Sequence, residues 1–95
     1  MLEVLEELVK IIRERKHSNP EKSYTNKLLN DKKMNVAKLN EEVKELIEAI
    51  QQKNNQAHEA ADVLYHLLVL LEGSEIKIED VMQELKKRQN GIQQK

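Results

Sequence analysis

Two pairs of acids, each pair three positions apart, carry the chemistry legible in this chain. Glu42 and Glu45 stand in "NEEVKEL", next to Glu41, and Glu59 and Asp62 stand in "EAADVLYHLLVLL". On a helix a spacing of three puts two side chains one turn apart on the same face. Two antiparallel helices joined by the short "QKNNQ" segment therefore set four carboxylates opposite one another. Each like-charge pair costs its own helix ~0.2–0.5 kcal/mol. Four gathered acids cost far more, and their pKa values rise until some of them bind protons. A divalent cation reverses that sign, because it favours the ionised form of every ligand. With oxygen donors, no cysteine and no obligatory histidine, a hard cation is expected, Mg2+ or Mn2+. Mg2+ recruits phosphate oxygens, so the cluster points to a phosphate-bearing ligand.

The same residues have plainer readings. Glutamate is a favoured helix former, and "EEVKE" alone describes a solvated face. Glu59 alone reads as an exposed first-turn residue. Asp62 sits on an otherwise apolar helix and needs a partner, for which Lys38 or Arg15 would serve as well as a metal. A di-iron bundle loses on spacing: it wants Glu-x-x-His on two helices, where this chain has Glu45 and Asp62, with His66 four beyond Asp62. His66 and Tyr65 are expected behind the ligands or at an interface. His17 and His58 lie in or beside loops and carry no signal.

The elements that must hold these acids are helical. The spacing predicts a first helix over 2–16, with Leu2, Leu5, Leu8, Val9 and Ile12 on one face. Asn19-Pro20 breaks it. "NKLLNDKKMN" reads as a short helical turn and a polar, basic loop carrying Lys32 and Lys33. A second helix is expected over 36–53, with Val36, Leu39, Val43, Leu46, Ile47 and Ile50 as its apolar stripe. A third is expected over 57–72. A fourth spans 78–89 with Ile78, Val81, Met82 and Leu85 inward, and Gly91 is its expected stop. The third helix is apolar nearly all round, and the others lack the apolar surface to enclose it. The expected fold is all-α, a single domain over residues 1–95 whose four to five helices form an intertwined helical-bundle homodimer.

Composition narrows the function classes. A net charge of −1 gives no global reason to expect nucleic acid or an anionic membrane as partner. The absence of cysteine excludes disulfides and thiolate metal sites. Glu3, Glu6 and Glu7 interrupt the N-terminal apolar pattern, so no signal peptide is expected. The longest apolar run, Leu67–Leu71, is far too short to span a bilayer. A cytoplasmic protein is the expectation.

The ordered series "RERK", "SYTNKLL", "NEEVKE", "EAADVLYHLLVLL" and "EDVMQELKKR" resembles the phosphoribosyl-ATP pyrophosphohydrolase family of histidine biosynthesis. That family lies within the all-α, MazG-like nucleoside triphosphate pyrophosphatases. The likeness runs from about Leu5 to Arg88. Glu-Glu-x-x-Glu followed by Glu-x-x-Asp carries the superfamily, and "SYT" with "ADVLYHLLVLL" carries the phosphoribosyl-ATP branch. The resemblance implies hydrolysis of phosphoribosyl-ATP between its α and β phosphates, giving phosphoribosyl-AMP and pyrophosphate. It implies Mg2+, with Mn2+ as a substitute, on Glu42, Glu45, Glu59 and Asp62. It casts Glu41 as an auxiliary acid that orients water or binds a second metal, and puts phosphate contacts at Arg15, Lys16, Ser23, Tyr24, Thr25, Lys33 and Lys38. It also implies a functional link to phosphoribosyl-AMP cyclohydrolase, which is fused to this domain in some organisms. The chain departs from the family pattern at Asn40, where a glycine is usual, at Ala37, where a lysine is usual, and after "KLLND", which lacks a glycine. A house-cleaning nucleotide pyrophosphatase with the same metal site is the nearer alternative. A non-catalytic helical dimerisation module is the farther one.

Overall fold

A computed structural model describes the backbone of residues 1–94 and the side chains of residues 1–89. The chain runs through α1 (Glu3–Glu14), a 3-10 turn (Arg15–His17), α2 (Tyr24–Leu29), α3 (Lys32–Gln52), α4 (Gln56–Gly73) and α5 (Ile78–Gln94). No strand occurs among the described residues, so the fold is all-α.

Capping explains where α2 and α3 begin. Ser23 Oγ accepts the Asn26 N–H at 3.1 Å and starts α2. Asp31 Oδ1 accepts the Met34 N–H at 3.0 Å and starts α3 four residues before Val36. A carboxylate at that position satisfies an orphan donor and complements the helix dipole. The segment expected as a basic loop is thus the first turn of α3, with Lys32 and Lys33 exposed on it. At the other end of the chain α5 continues through Gly91 to Gln94. A glycine costs a helix about 1 kcal/mol but ends it only where the backbone turns left-handed.

α3 and α4 form an antiparallel hairpin and pack along their lengths. The turn between them is tight, with Lys53 and Asn55 both at φ 55° and the Asn54 N–H closing on the Ala49 carbonyl at 3.0 Å. α3 is rotated relative to expectation. Its buried positions are Asn35 and Ala49, with Glu42 half-buried midway between them at heptad spacing. The aliphatic stripe lies beside that seam instead: Val36, Val43, Ile47 and Ile50 are exposed, the last two by 51% and 54%. The acids therefore face α4, while the apolar stripe faces away from the rest of the chain.

The core is small. Val9 and Ile12 of α1, Leu28 of α2, and Leu68 and Val69 of α4 form it, flanked by Leu8, Leu29, Met34, Tyr65 and Ile78. Gly73 lets the end of α4 pass close to α2, since a Cβ there would stand 3.3 Å from the Leu29 carbonyl oxygen. α5 joins through Ile78 and through Glu79, whose carboxylate meets Arg13 at 2.7 Å. Met82 and Leu85, expected inward, are about half exposed, Met82 lying over a shallow cleft that it shares with Val9 and Ile78. Leu64 and Leu67 of α4 are exposed as well, as a helix apolar all round requires when too few neighbours surround it. Asn35 is 1% exposed, yet neither of its amide atoms has a hydrogen-bond partner.

Candidate active site

The rotation of α3 builds the site. Glu42 and Glu45 look across the hairpin at Glu59, and one carboxylate oxygen from each of the three lies within 4.8 Å of the others. Asp62 joins through the other side of Glu59, where ligand atoms of His58, Glu59 and Asp62 are grouped within the same distance. The four acids expected as one set are thus together. Asp62 finds its charge partner in neither Lys38 nor Arg15. It pairs with His58, whose Nε2 stands 3.4 Å from Oδ2. His58, which carries no signal in the sequence, is therefore part of the site.

The electrostatics are those of a gathered set of like charges. Burial pushes the Glu42 carboxyl up from its ordinary value, and Glu45, Asp62 and Glu59 push it further, with only His66 opposing. Glu59 is raised by burial, then by the charge of Glu45 and a hydrogen bond with it. One oxygen of each, Glu42 Oε2 and Glu59 Oε2, is sealed from solvent with no hydrogen-bond partner. Orphaned carboxylate oxygens in an all-oxygen set fit a hard divalent cation, which would satisfy them and lower both pKa values. Glu41 stands apart from this set. It is exposed and pairs with Lys38 at 3.7 Å.

Behind the acids, α2 is tied to α4 by side-chain hydrogen bonds. The His66 Nδ1–H donates to the Asp62 carbonyl at 2.8 Å. In the neutral ring that leaves Nε2 as an acceptor, and the Tyr24 hydroxyl donates to it at 3.3 Å. Thr25 Oγ1 and the Tyr65 hydroxyl bond to each other. The three hydroxyls of "SYT" are thus each engaged within the protein: Ser23 as a helix cap, Tyr24 on His66, Thr25 on Tyr65. His66 is buried and Tyr65 half-buried, both behind Asp62.

The basic residues separate. Arg15 and Lys33 are exposed and make no ion pair among the described side chains. Lys16 is drawn to Glu72, Nζ to Oε2 at 3.4 Å. That lies roughly 15 Å along α4 from Asp62 by helical rise, which takes Lys16 away from the acid set. Sequence reasoning passed over Asn26, which is buried and donates its amide to the Arg15 and Lys16 carbonyls at 2.6 and 3.3 Å. It also passed over Glu72, the buried acid that Arg13 and Lys16 share. Its one signal was an acid closing the apolar run "LLVLLE".

Comparison with known proteins identifies the family. The family model described as phosphoribosyl-ATP pyrophosphohydrolase matches residues 5–89. A phosphoribosyl-ATP pyrophosphatase of Haloarcula marismortui is 45% identical, over 90% of this chain and 93% of that protein. One from Rhizobium etli is 44% identical, over 96% of this chain and 90% of its own length. The histidine biosynthesis bifunctional protein HisIE of Thermotoga maritima is 42% identical over 86% of this chain, which spans 43% of that longer protein. With a family model covering most of its length and relatives at this identity, the chain belongs to the phosphoribosyl-ATP pyrophosphohydrolase family.

Proposed function

We propose that this chain hydrolyses phosphoribosyl-ATP at the α–β phosphate bond, releasing phosphoribosyl-AMP and pyrophosphate, the second step of L-histidine biosynthesis. The observation that carries the reading is the set Glu42, Glu45 and Glu59, half-buried, mutually close and lacking cations of its own, with two orphaned oxygens. A structural ion-pair network would not leave such acids unpaired. Glu42, Glu45, Glu59 and Asp62 would hold Mg2+, with Mn2+ as a substitute. A bound divalent cation supplies charge neutralisation for the polyphosphate and the carboxylates alike. The protein's part is positioning and proton transfer. Water attacks the α phosphorus, its oxygen forming the new P–O bond as the bond to the β phosphate breaks. Glu41, or another carboxylate of the site, would take the water's proton. Lys38, Arg15 and Lys33 meet the charge of the departing pyrophosphate.

The exposed aliphatic stripe of α3, with Leu64 and Leu67 of α4, favours a homodimer in which a second copy covers this face. The bifunctional Thermotoga relative favours a functional link with phosphoribosyl-AMP cyclohydrolase, whose substrate is this reaction's product. A biosynthetic role of this kind favours a cytoplasmic location. No described helix is long and apolar enough to cross a membrane. The test is pyrophosphate release from phosphoribosyl-ATP with and without Mg2+, beside ATP and the deoxynucleoside triphosphates. Mg2+-dependent release from phosphoribosyl-ATP far above the others is expected. Preference for a free nucleotide would move the chain to the house-cleaning pyrophosphatases, and no release from any substrate would leave a helical dimerisation module.

A further inference from the structure

We propose that the exposed face of the Tyr24 ring is the platform on which the purine base of the substrate stacks, so that base recognition lies on α2 and phosphate chemistry on the α3–α4 acids. This rests on the reading of the substrate as a purine nucleotide polyphosphate. The chain has two tyrosines and no other benzenoid or indole side chain, and both belong to one cluster beside the acids. The Tyr24 and Tyr65 rings are near-parallel, 19° apart in plane with centroids 6.5 Å apart, and His66 meets both edge-on.

Tyr24 is 48% exposed, although its hydroxyl is already satisfied by His66. A tyrosine used for packing buries its ring, and one used for hydrogen bonding to a ligand keeps its hydroxyl free. Tyr24 does neither. What it offers to solvent is ring surface, held at a fixed angle by its hydroxyl on one ring and by the neighbouring Tyr65 on its flank. A base docking there meets a surface whose ordering has already been accomplished in folding. The platform also neighbours the acid hairpin: one imidazole and two hydrogen bonds, of 3.3 and 2.8 Å, link the Tyr24 hydroxyl to the main-chain carbonyl of Asp62. In a nucleotide only the ribose separates the base from the α-phosphate, so one ligand can reach both groups. The field of Lys38, Glu42 and Glu41 at the Tyr24 hydroxyl agrees with that proximity.

Because the chain has no tryptophan, Tyr65→Phe leaves Tyr24 as the sole fluorophore and its emission as a direct readout. Titration of this variant with AMP, at matched absorbance, should quench the emission saturably, and titration with inorganic pyrophosphate should not. In the otherwise native chain Tyr24→Leu should raise both the AMP dissociation constant and the KM for phosphoribosyl-ATP about tenfold, with kcat and pyrophosphate inhibition little changed. Tyr24→Phe, which keeps the ring but loses its anchor on His66, should raise KM less than Tyr24→Leu does. Absence of quenching, or native AMP affinity in Tyr24→Leu, would overturn the platform. So would equal loss of AMP and pyrophosphate binding in that variant, since it would make the ring a brace for the whole site. Saturable quenching by AMP in a protein inactive on phosphoribosyl-ATP would uphold the platform and reject the substrate assignment instead.

Discussion

Two acid-rich regions share α4, one near each end, and they answer the problem of a half-buried carboxylate in opposite ways. At the start of the helix Glu59 faces Glu42 and Glu45 with no lysine or arginine among them, and Glu42 and Glu59 are both held above their ordinary pKa. At its end Glu72 is enclosed by Arg13 at 2.7 Å and Lys16 at 3.4 Å, and the same Arg13 grips Glu79 at 2.7 Å. There the Glu79 carboxyl falls to about 2, chiefly through its hydrogen bonds with Arg13. Both regions gather glutamates, and Glu72 is the more deeply buried of the acids compared. What differs is whether the fold supplies the cation, and an acid cluster left without one is the cluster a divalent ion would stabilise.

The largest effect should come from the unpaired region. Asp62→Asn keeps the size of the side chain and removes the charge, and should lower turnover by ~10²–10³-fold with an unchanged helical circular-dichroism spectrum. Native-like turnover would remove Asp62 from the site. The paired region should respond in stability instead. Glu72→Gln strands Lys16 and leaves Arg13 with Glu79 alone, and should cost about 2 kcal/mol in urea unfolding, below the figure for a fully buried pair because Arg13 is partly exposed. Its Mg2+ response should match that of the native chain.

Asn35 sharpens the comparison, being buried and unpartnered without any charge. A cation would leave its amide N–H donors unpaired, so Asn35→Leu should raise stability by ~1–2 kcal/mol equally with and without Mg2+. A gain seen only with the metal removed would tie Asn35 to the acid site.

The smallest effect is in pH, where the two regions should tilt opposite ways. Glu42 and Glu59 are raised, so with metal removed by EDTA their unfavourable ionisation is relieved and the thermal midpoint rises as pH falls from neutrality towards 4.5. Glu79 is depressed from 4.5 to about 2, so its contribution is present above 4.5 and is lost as pH falls between those values. Glu79→Gln should flatten the lower limb alone.

Much of this was legible in the residues. The spacing of Glu42 with Glu45 and of Glu59 with Asp62 placed both pairs on facing helices, and the helix order followed from periodicity and breakers. The rotation of α3 was not legible. An apolar stripe marks a face that will be buried without saying by what, and here Ile47 and Ile50 turn outward while Glu42 turns in. The engagement of the Tyr24 and Thr25 hydroxyls within the protein was not legible for a related reason. Their partners Tyr65 and His66 lie some 40 residues away, and no local rule couples them. Asn26 is the same case at shorter range, because a buried amide satisfying the end of another helix leaves no periodic trace.

The central claim is that the fold leaves the acid hairpin short of a cation. The most direct test is the thermal midpoint at pH 7 in EDTA and across a Mg2+ series, for the native chain and for Glu59→Gln. The native midpoint should climb steadily with Mg2+, reaching a gain of ~2.7 kcal/mol at a hundredfold excess over the dissociation constant. Glu59→Gln should start higher in EDTA and respond little. A native midpoint indifferent to Mg2+ and Mn2+, at or below that of Glu59→Gln throughout, would contradict the claim and make the cluster an ordinary acidic surface.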